Sequence, residues 1–147
     1  MRALDGTDPR QFIADFFTSF MADLVRGDED TALVVDRYHT PDIVQIADGS
    51  RMDRAKLIAH AQPAQKHQPD ARWEVHEALA DGDRIAARYT LHFQNRKREG
   101  SVEVHFFGQF ADDGRMRRAH LLTRPLPVRA GSAPPPPEAP AGRQVPA

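Results

Sequence analysis

Two periods divide the chain. Between Phe12 and Val25 the apolar residues recur with a helical period: Phe12, Phe16, Phe20 and Leu24 form one row, and Ile13, Phe17, Met21 and Val25 form a second beside it. Asp15, Ser19, Asp23 and Arg26 fall off this stripe. Asp8 is placed to cap the helix, Pro9 suits its first position, Gln11 follows three residues after the cap, and Gly27 ends it. Asp28 then caps a second, shorter helix to about Arg37, with Leu33 and Val34 inward. Tyr38-His39-Thr40-Pro41-Asp42 reads as a break, because a residue before proline is pushed out of the α region. Ile43 to Ile46 reads as a short strand closed by Asp48-Gly49. Asp53 caps a third helix, roughly Arg54 to Lys66, with Leu57, Ile58 and Ala61 on its apolar side; Pro63 predicts a kink or an early end.

From Arg72 to Arg124 the period changes to two. Trp73 to Val75, Ile85 to Phe93, Val102 to Phe110 and Met116 to Thr123 are rich in β-branched and aromatic residues. Asp81-Gly82-Asp83, Arg96 to Gly100 and Asp112-Asp113-Gly114 separate them with turn residues. Short turns make sequential antiparallel neighbours, so the pattern predicts a four-stranded meander that needs the preceding helices against one face. After Arg124, Pro125, Pro127, Pro134 to Pro137, Pro140 and Pro146 hold eight of the chain's 12 prolines. Alanine and glycine fill much of the rest, a composition that cannot build a packed core. The expected organisation is an extension over 1–8, one domain over 9–125, and a disordered Pro/Ala-rich tail over 126–147.

Composition narrows the function classes. The chain has 147 residues, enough for one domain with a real core. Its net charge is −1 and its pI is about 6.6, which argues against nucleic acid or anionic membrane as a partner. It has no cysteine, which excludes disulfides and thiolate metal sites and permits a reducing compartment. The stretch from Met1 to Asp5 has no apolar run behind it and no window approaches about 18 apolar residues, so neither a secretory signal nor a membrane span is expected, and a soluble cytoplasmic protein is. The seven histidines show neither a His-x-x-x-His pair nor a cysteine partner, so no metal and no cofactor are expected.

The order of elements resembles the nuclear transport factor two-like superfamily, and its SnoaL-like branch in particular. The resemblance rests on Arg26-Gly27-Asp28, on Tyr38-His39-Thr40-Pro41-Asp42-Ile43-Val44, on Gly82 to Thr90 and on Gly114-Arg115-Met116, and it spans about residues 10 to 124. It implies an α+β roll: a cone-shaped, curved antiparallel sheet wrapped around a long N-terminal helix, with a pocket at the open end. It also implies homodimers through the outer face of the sheet. Members include ketosteroid isomerases, epoxide hydrolases, dehydratases, polyketide cyclases and non-catalytic binding or dimerisation modules, so the fold leaves the function open.

The resemblance also implies where chemistry would sit. An isomerase base falls near Ile46 and its tyrosine donor near Phe20, both apolar here; an epoxide-hydrolase acid pair falls near Ala86 and Leu121, also apolar. A dehydratase-like pair would be Asp28 and His67, each equally explained as a cap and a loop residue. On the long strand, Ile85, Ala87, Tyr89, Leu91 and Phe93 share one face and Arg84, Ala86, Arg88, Thr90 and His92 the other. The simple reading puts the apolar row inside; the resemblance puts the arginine and histidine row in the pocket. On the second reading Arg88 polarises a carbonyl and His92 moves the proton. Phe16, Phe20, Trp73, Phe106 and His120 then line a pocket for a small, largely apolar organic ligand. His105 points away with Glu103, and His120 lies in step with Met116 and Leu122; a one-residue slip of register would reverse either.

Overall fold

The computed structural model of the protein describes residues 4–94 and 99–127. Helix α1 (Pro9–Arg26) is bracketed as its sequence requires. The Asp8 carboxylate accepts from the Arg10 N–H at 3.0 Å, and Gly27 closes the helix at a φ of 72°, where a Cβ would be strained. Helix α2 (Thr31–Tyr38) starts later than expected, because Asp30 rather than Asp28 caps it, accepting from the Ala32 N–H. Asp28 instead takes the Arg26 Nε at 3.0 Å. The buried face of α2 is Thr31, Val34 and Val35, spaced i, i+3 and i+4, and Leu33 is 58% exposed, a correction to its inward assignment. The break falls at Tyr38, where α2 ends, but no loop follows: α2 passes directly into β1 (His39–Ala47), since His39 is extended at a φ of −134° and ψ of 143°.

A short β2 (Ser50–Met52) pairs back on β1, and α3 (Arg54–His67) follows behind its Asp53 cap. Pro63 does not end α3, which runs on to His67; Pro63 and Ala59 are both exposed, so water can serve the carbonyl that proline leaves without a donor. The meander is β3 (Asp70–Asp81), β4 (Arg84–Gln94), β5 (Glu99–Phe110) and β6 (Met116–Pro125). The sheet has six strands in the order β2-β1-β6-β5-β4-β3 and does not close. All pairs are antiparallel except β1 with β6, which run parallel. That exception follows from chain length: one helix and four strands separate β1 from β6, which gives the room a parallel return needs.

The helices cover one face of this sheet. Ile13, Phe16 and Leu24 of α1 meet Ile85, Tyr89, Val104 and Phe106 of the sheet, all buried. Rings meet edge to face: Phe16 with Phe110 at 5.5 Å, Phe12 with Phe110 at 5.0 Å, and Phe17 with Phe106 at 5.8 Å. Each such side chain contributes about 1.5–3 kcal/mol when fully covered. Ion pairs fasten the helices to each other at the surface: Arg37 joins Asp23 of α1, and Arg54 of α3 takes both carboxylate oxygens of Asp36 at 2.7 and 2.8 Å. Among the described residues no helix is long and apolar enough to cross a membrane. The tail expected to be disordered, from Val128 onward, and most of the expected Arg96–Gly100 turn lie outside the described residues.

Candidate functional site

Strand register decides which side chains can act together. On β4 the apolar row faces the helices: Ile85, Ala87 and Tyr89 are buried. Arg84, Ala86, Arg88, Thr90 and His92 therefore face outward, which corrects the reading that set Arg88 and His92 inside the cone. The physical reason is packing. Tyr89 sits 5.5 Å from Phe17 and 6.3 Å from Phe106, and its phenol is pushed up in pKa by that burial. Turning the strand over would expose this row and drive two cations into an aromatic core.

The outer face is graded along the strands. At one end Leu79, Ala86, Phe107 and His120 line up across β3 to β6, with Leu79 and Phe107 mostly exposed. The next outward row is Glu77, Arg88, His105 and Leu122. Glu103 beyond it gathers cations: Arg124 donates to it at 3.0 Å and Arg88 at 3.4 Å, and its carboxyl is held below the usual range, chiefly by the Arg124 hydrogen bond. At the far end Arg72, His92 and Ser101 stand side by side on β3, β4 and β5. His92 Nδ1 lies 2.8 Å from Ser101 Oγ and its Nε2 lies 2.8 Å from Glu74 Oε1. That hydrogen bond from His92 holds the Glu74 carboxyl below its ordinary range.

This last row borders a cavity of about 490 Å³ at the β3–β4–β5 end of the sheet. Arg72, His92 and Ser101 give it polar groups; Ala71, Phe93, Leu126 and Pro127 give it an apolar wall. The Leu126 N–H donates to the Ser101 carbonyl at 2.9 Å, which brings the end of β6 over the cavity. Gly100 lets the Phe93 ring lie against the strand beneath it, since a Cβ there would stand 2.8 Å from the ring tip and displace it. Residues 10–119 match the SnoaL-like domain. The chain belongs to that family. Solved structures share the fold at low identity. IdmH of Streptomyces antibioticus, a candidate polyketide cyclase, is 18% identical over 80% of this chain and 92% of its own, with a TM-score of 0.57. An LEH-like epoxide hydrolase of M. tuberculosis is 18% identical over 78% and 84%, also at 0.57. AusH of Aspergillus nidulans is 10% identical over 78% and 85%, at 0.58. No curated protein matches the chain.

In this SnoaL-like domain Phe16 and Phe106 are buried in the packed core, while Phe20 and Trp73 stand half-buried at its edge. Trp73 stacks on Phe17 at 5.9 Å and lies two residues from Ala71, on the same face of β3, so the aromatic core reaches the cavity wall. His120 is exposed on the outer face, not in the cone. A register shift between Gln109 and Phe110 makes Arg118 the partner of Gln109 and Met116 that of Phe110, so Met116 points in while His120 and Leu122 point out. Asp28 is bound to Arg26, and His67 is exposed at the end of α3, so the structure does not pair them.

His39 was singled out only as part of a motif. It is 2% exposed, its ring packs edge-on to Phe16 and Phe20, and its Nδ1 lies 2.8 Å from the Val35 carbonyl. Burial lowers its pKa, so it is neutral near pH 7. Among the described residues no three histidine or carboxylate side chains converge as a metal ion needs. Ser101, Glu74 and Arg72 were missed by sequence reasoning. Only a correct β4–β5 register brings Ser101 to His92, and the turn expected over Arg96 to Gly100 is centred three residues away from it.

Proposed function

We propose that this SnoaL-like domain binds a small, largely apolar organic molecule at the β3–β4–β5 end of the sheet. Its apolar body rests against Phe93, Leu126 and Pro127, and a carbonyl or carboxyl group meets Arg72, His92 and Ser101. The cavity carries this reading. About 490 Å³ falls within the range of small-molecule sites, and an apolar wall with a few convergent polar groups is what orients such a ligand. His92 remains the proton-transfer group of the site, now with Arg72 rather than Arg88 as the cation beside it. No resident cofactor enters this reading. We place the protein in the cytoplasm, a setting its cysteine-free composition suits.

A second copy of the chain is the partner we assign to the other end of the outer face. Leu79 and Phe107 lie on one outward row there, and Leu122 on the next; all three are exposed large apolar side chains. The cavity lies about 20 Å away along β4, six residues from Ala86 to His92, so a dimer seated on that row leaves it open.

The test of binding is a thermal-shift screen of ketones, lactones, esters and polyketide fragments. A ligand at about 100 times its Kd adds roughly 2.7 kcal/mol of stability, and Phe93→Ala with Arg72→Gln removes the shift. A shift that survives both substitutions, or a screen with no hit, rejects this cavity as the binding site.

A further inference from the structure

We propose that Ser101, His92 and Glu74 form a nucleophilic relay that hydrolyses small carboxylic esters held in the sheet-end cavity. The proposal rests on the binding reading above and adds a reaction to it. The three residues come from three adjacent strands. Ser101 is the direct cross-strand partner of His92, and Glu74 faces Thr90, two positions along β4 from it. Both links of the relay are 2.8 Å, within the reach expected of a nucleophile, its base and the group that orients the base. Ser101 and His92 line the cavity, so the hydroxyl and the imidazole are presented to whatever enters it.

In the proposed relay Ser101 Oγ–H donates to His92 Nδ1, and His92 Nε2–H donates to Glu74, each across 2.8 Å. The Glu74 carboxyl, depressed by that hydrogen bond, stays ionised and supports the imidazolium as it forms. In acylation Ser101 Oγ bonds to the ester carbonyl carbon while its proton passes to His92 Nδ1. The oxyanion that results forms in a cavity lined by Arg72, the cross-strand neighbour of His92 on β3. The bond from carbon to the leaving oxygen then breaks, and His92 returns the proton to that oxygen, releasing the alcohol. Water attacks the acyl-Ser101, giving a proton to His92, and the acid leaves as the Ser101 hydroxyl is restored. The balance is ester plus water to acid plus alcohol, and no other reactant is needed.

Glu74 is a positioning residue in this scheme; it touches His92 and not the substrate. The cavity sets the substrate class. Its wall of Phe93, Leu126 and Pro127 suits a short acyl chain or an aryl alcohol, and its single described arginine suits the developing oxyanion.

The experiment uses the full chain with 4-nitrophenyl acetate as substrate and a fluorophosphonate as active-serine probe. The wild type is expected to release nitrophenolate with turnover. Ser101→Ala and His92→Ala are expected to lose at least about 100-fold in rate. Glu74→Gln should lower kcat with KM unchanged, and Glu74→Asp should restore part of it. The probe should add one mass increment, mapped to Ser101 and absent from Ser101→Ala. Ser101→Ala hydrolysing at the wild-type rate, or an adduct mapped elsewhere, overturns the relay. Binding is read separately with 4-nitrophenylacetone, in which a methylene replaces the ester oxygen. A melting-temperature rise in the wild type without turnover or adduct overturns the relay and keeps the binding site, whereas loss of both overturns the site itself.

Discussion

Gly108 sets how two phenylalanines share the core. A Cβ built there would stand 2.5 Å from the Phe106 ring and 3.0 Å from that of Phe110, and both rings are almost fully buried. Neither ring can retreat into solvent, so Gly108→Ala should cost about 1–3 kcal/mol through overpacking. Urea denaturation checks this, with a lowered midpoint and an unchanged slope. His39 carries a second prediction at this scale. Its folded pKa lies below the ordinary histidine value because it is buried, so the unfolded chain binds the extra proton first. The stability tied to its neutral ring is complete above about pH 6.5 and declines as pH falls from there toward the lowered folded value. His39→Leu lowers stability throughout by leaving the Val35 carbonyl without the ring, yet should flatten the slope between pH 7 and 5. Urea midpoints measured across that range decide it; equal slopes for the two proteins would reject the assignment. The Tyr38 phenol, pushed up to about 12 chiefly by burial, donates to Asp23 at 2.6 Å. Tyr38→Phe should therefore cost about 1 kcal/mol at pH 7.

At the scale of elements, caps and registers separate what could be read in the sequence from what could not. Asp30→Ala should cost about 1 kcal/mol of stability because it removes the α2 cap, whereas Asp28→Ala should stay within about 0.5 kcal/mol since it loses only an exposed ion pair. Thermal melts of the two variants compare them directly. Three acids stand in a row at Asp28, Glu29 and Asp30, and spacing alone does not say which of them begins the helix. The rows of α1 were legible because eight apolar residues repeat a single period, and a packed stripe has only one way to face inward. The strands were legible from their turn residues at Gly82 and Gly114, both at positive φ. The relation between strands was not. His92 meets Ser101 in the structure, but a turn centred on Arg98 would set it opposite Val104, and an odd shift reverses the faces. Hence Arg88 was identifiable as a cation on the strand face opposite the apolar row, as the simple alternation has it, while its place beside Glu103 was not. The site residues Ser101 and Glu74 are common surface types, and nothing in their local sequence marks them.

For the molecule as a whole, the two ends of the outer face make different demands. The apolar end should hold a second copy, so Phe107→Glu with Leu122→Asp is expected to shift the protein from dimer to monomer by sedimentation velocity while leaving its far-UV spectrum unchanged. A wild type that sediments as a monomer at micromolar concentration would remove the assigned interface. The cavity end should keep its ligand response in that monomeric variant, because the two regions share no row of the sheet. The parallel join of β1 to β6 has a consequence for the way the chain is made. Ile46 pairs with His120, so β1 leaves the ribosome long before its main partner exists and meanwhile can pair only with the three residues of β2. Helices α1 to α3 can associate early through local contacts, but the sheet cannot be completed until the last strand has been synthesised. During that interval the unpaired edge of β1 is open to other nascent chains, and chaperone occupancy on ribosomes stalled before Met116 should exceed that on ribosomes stalled beyond Pro125.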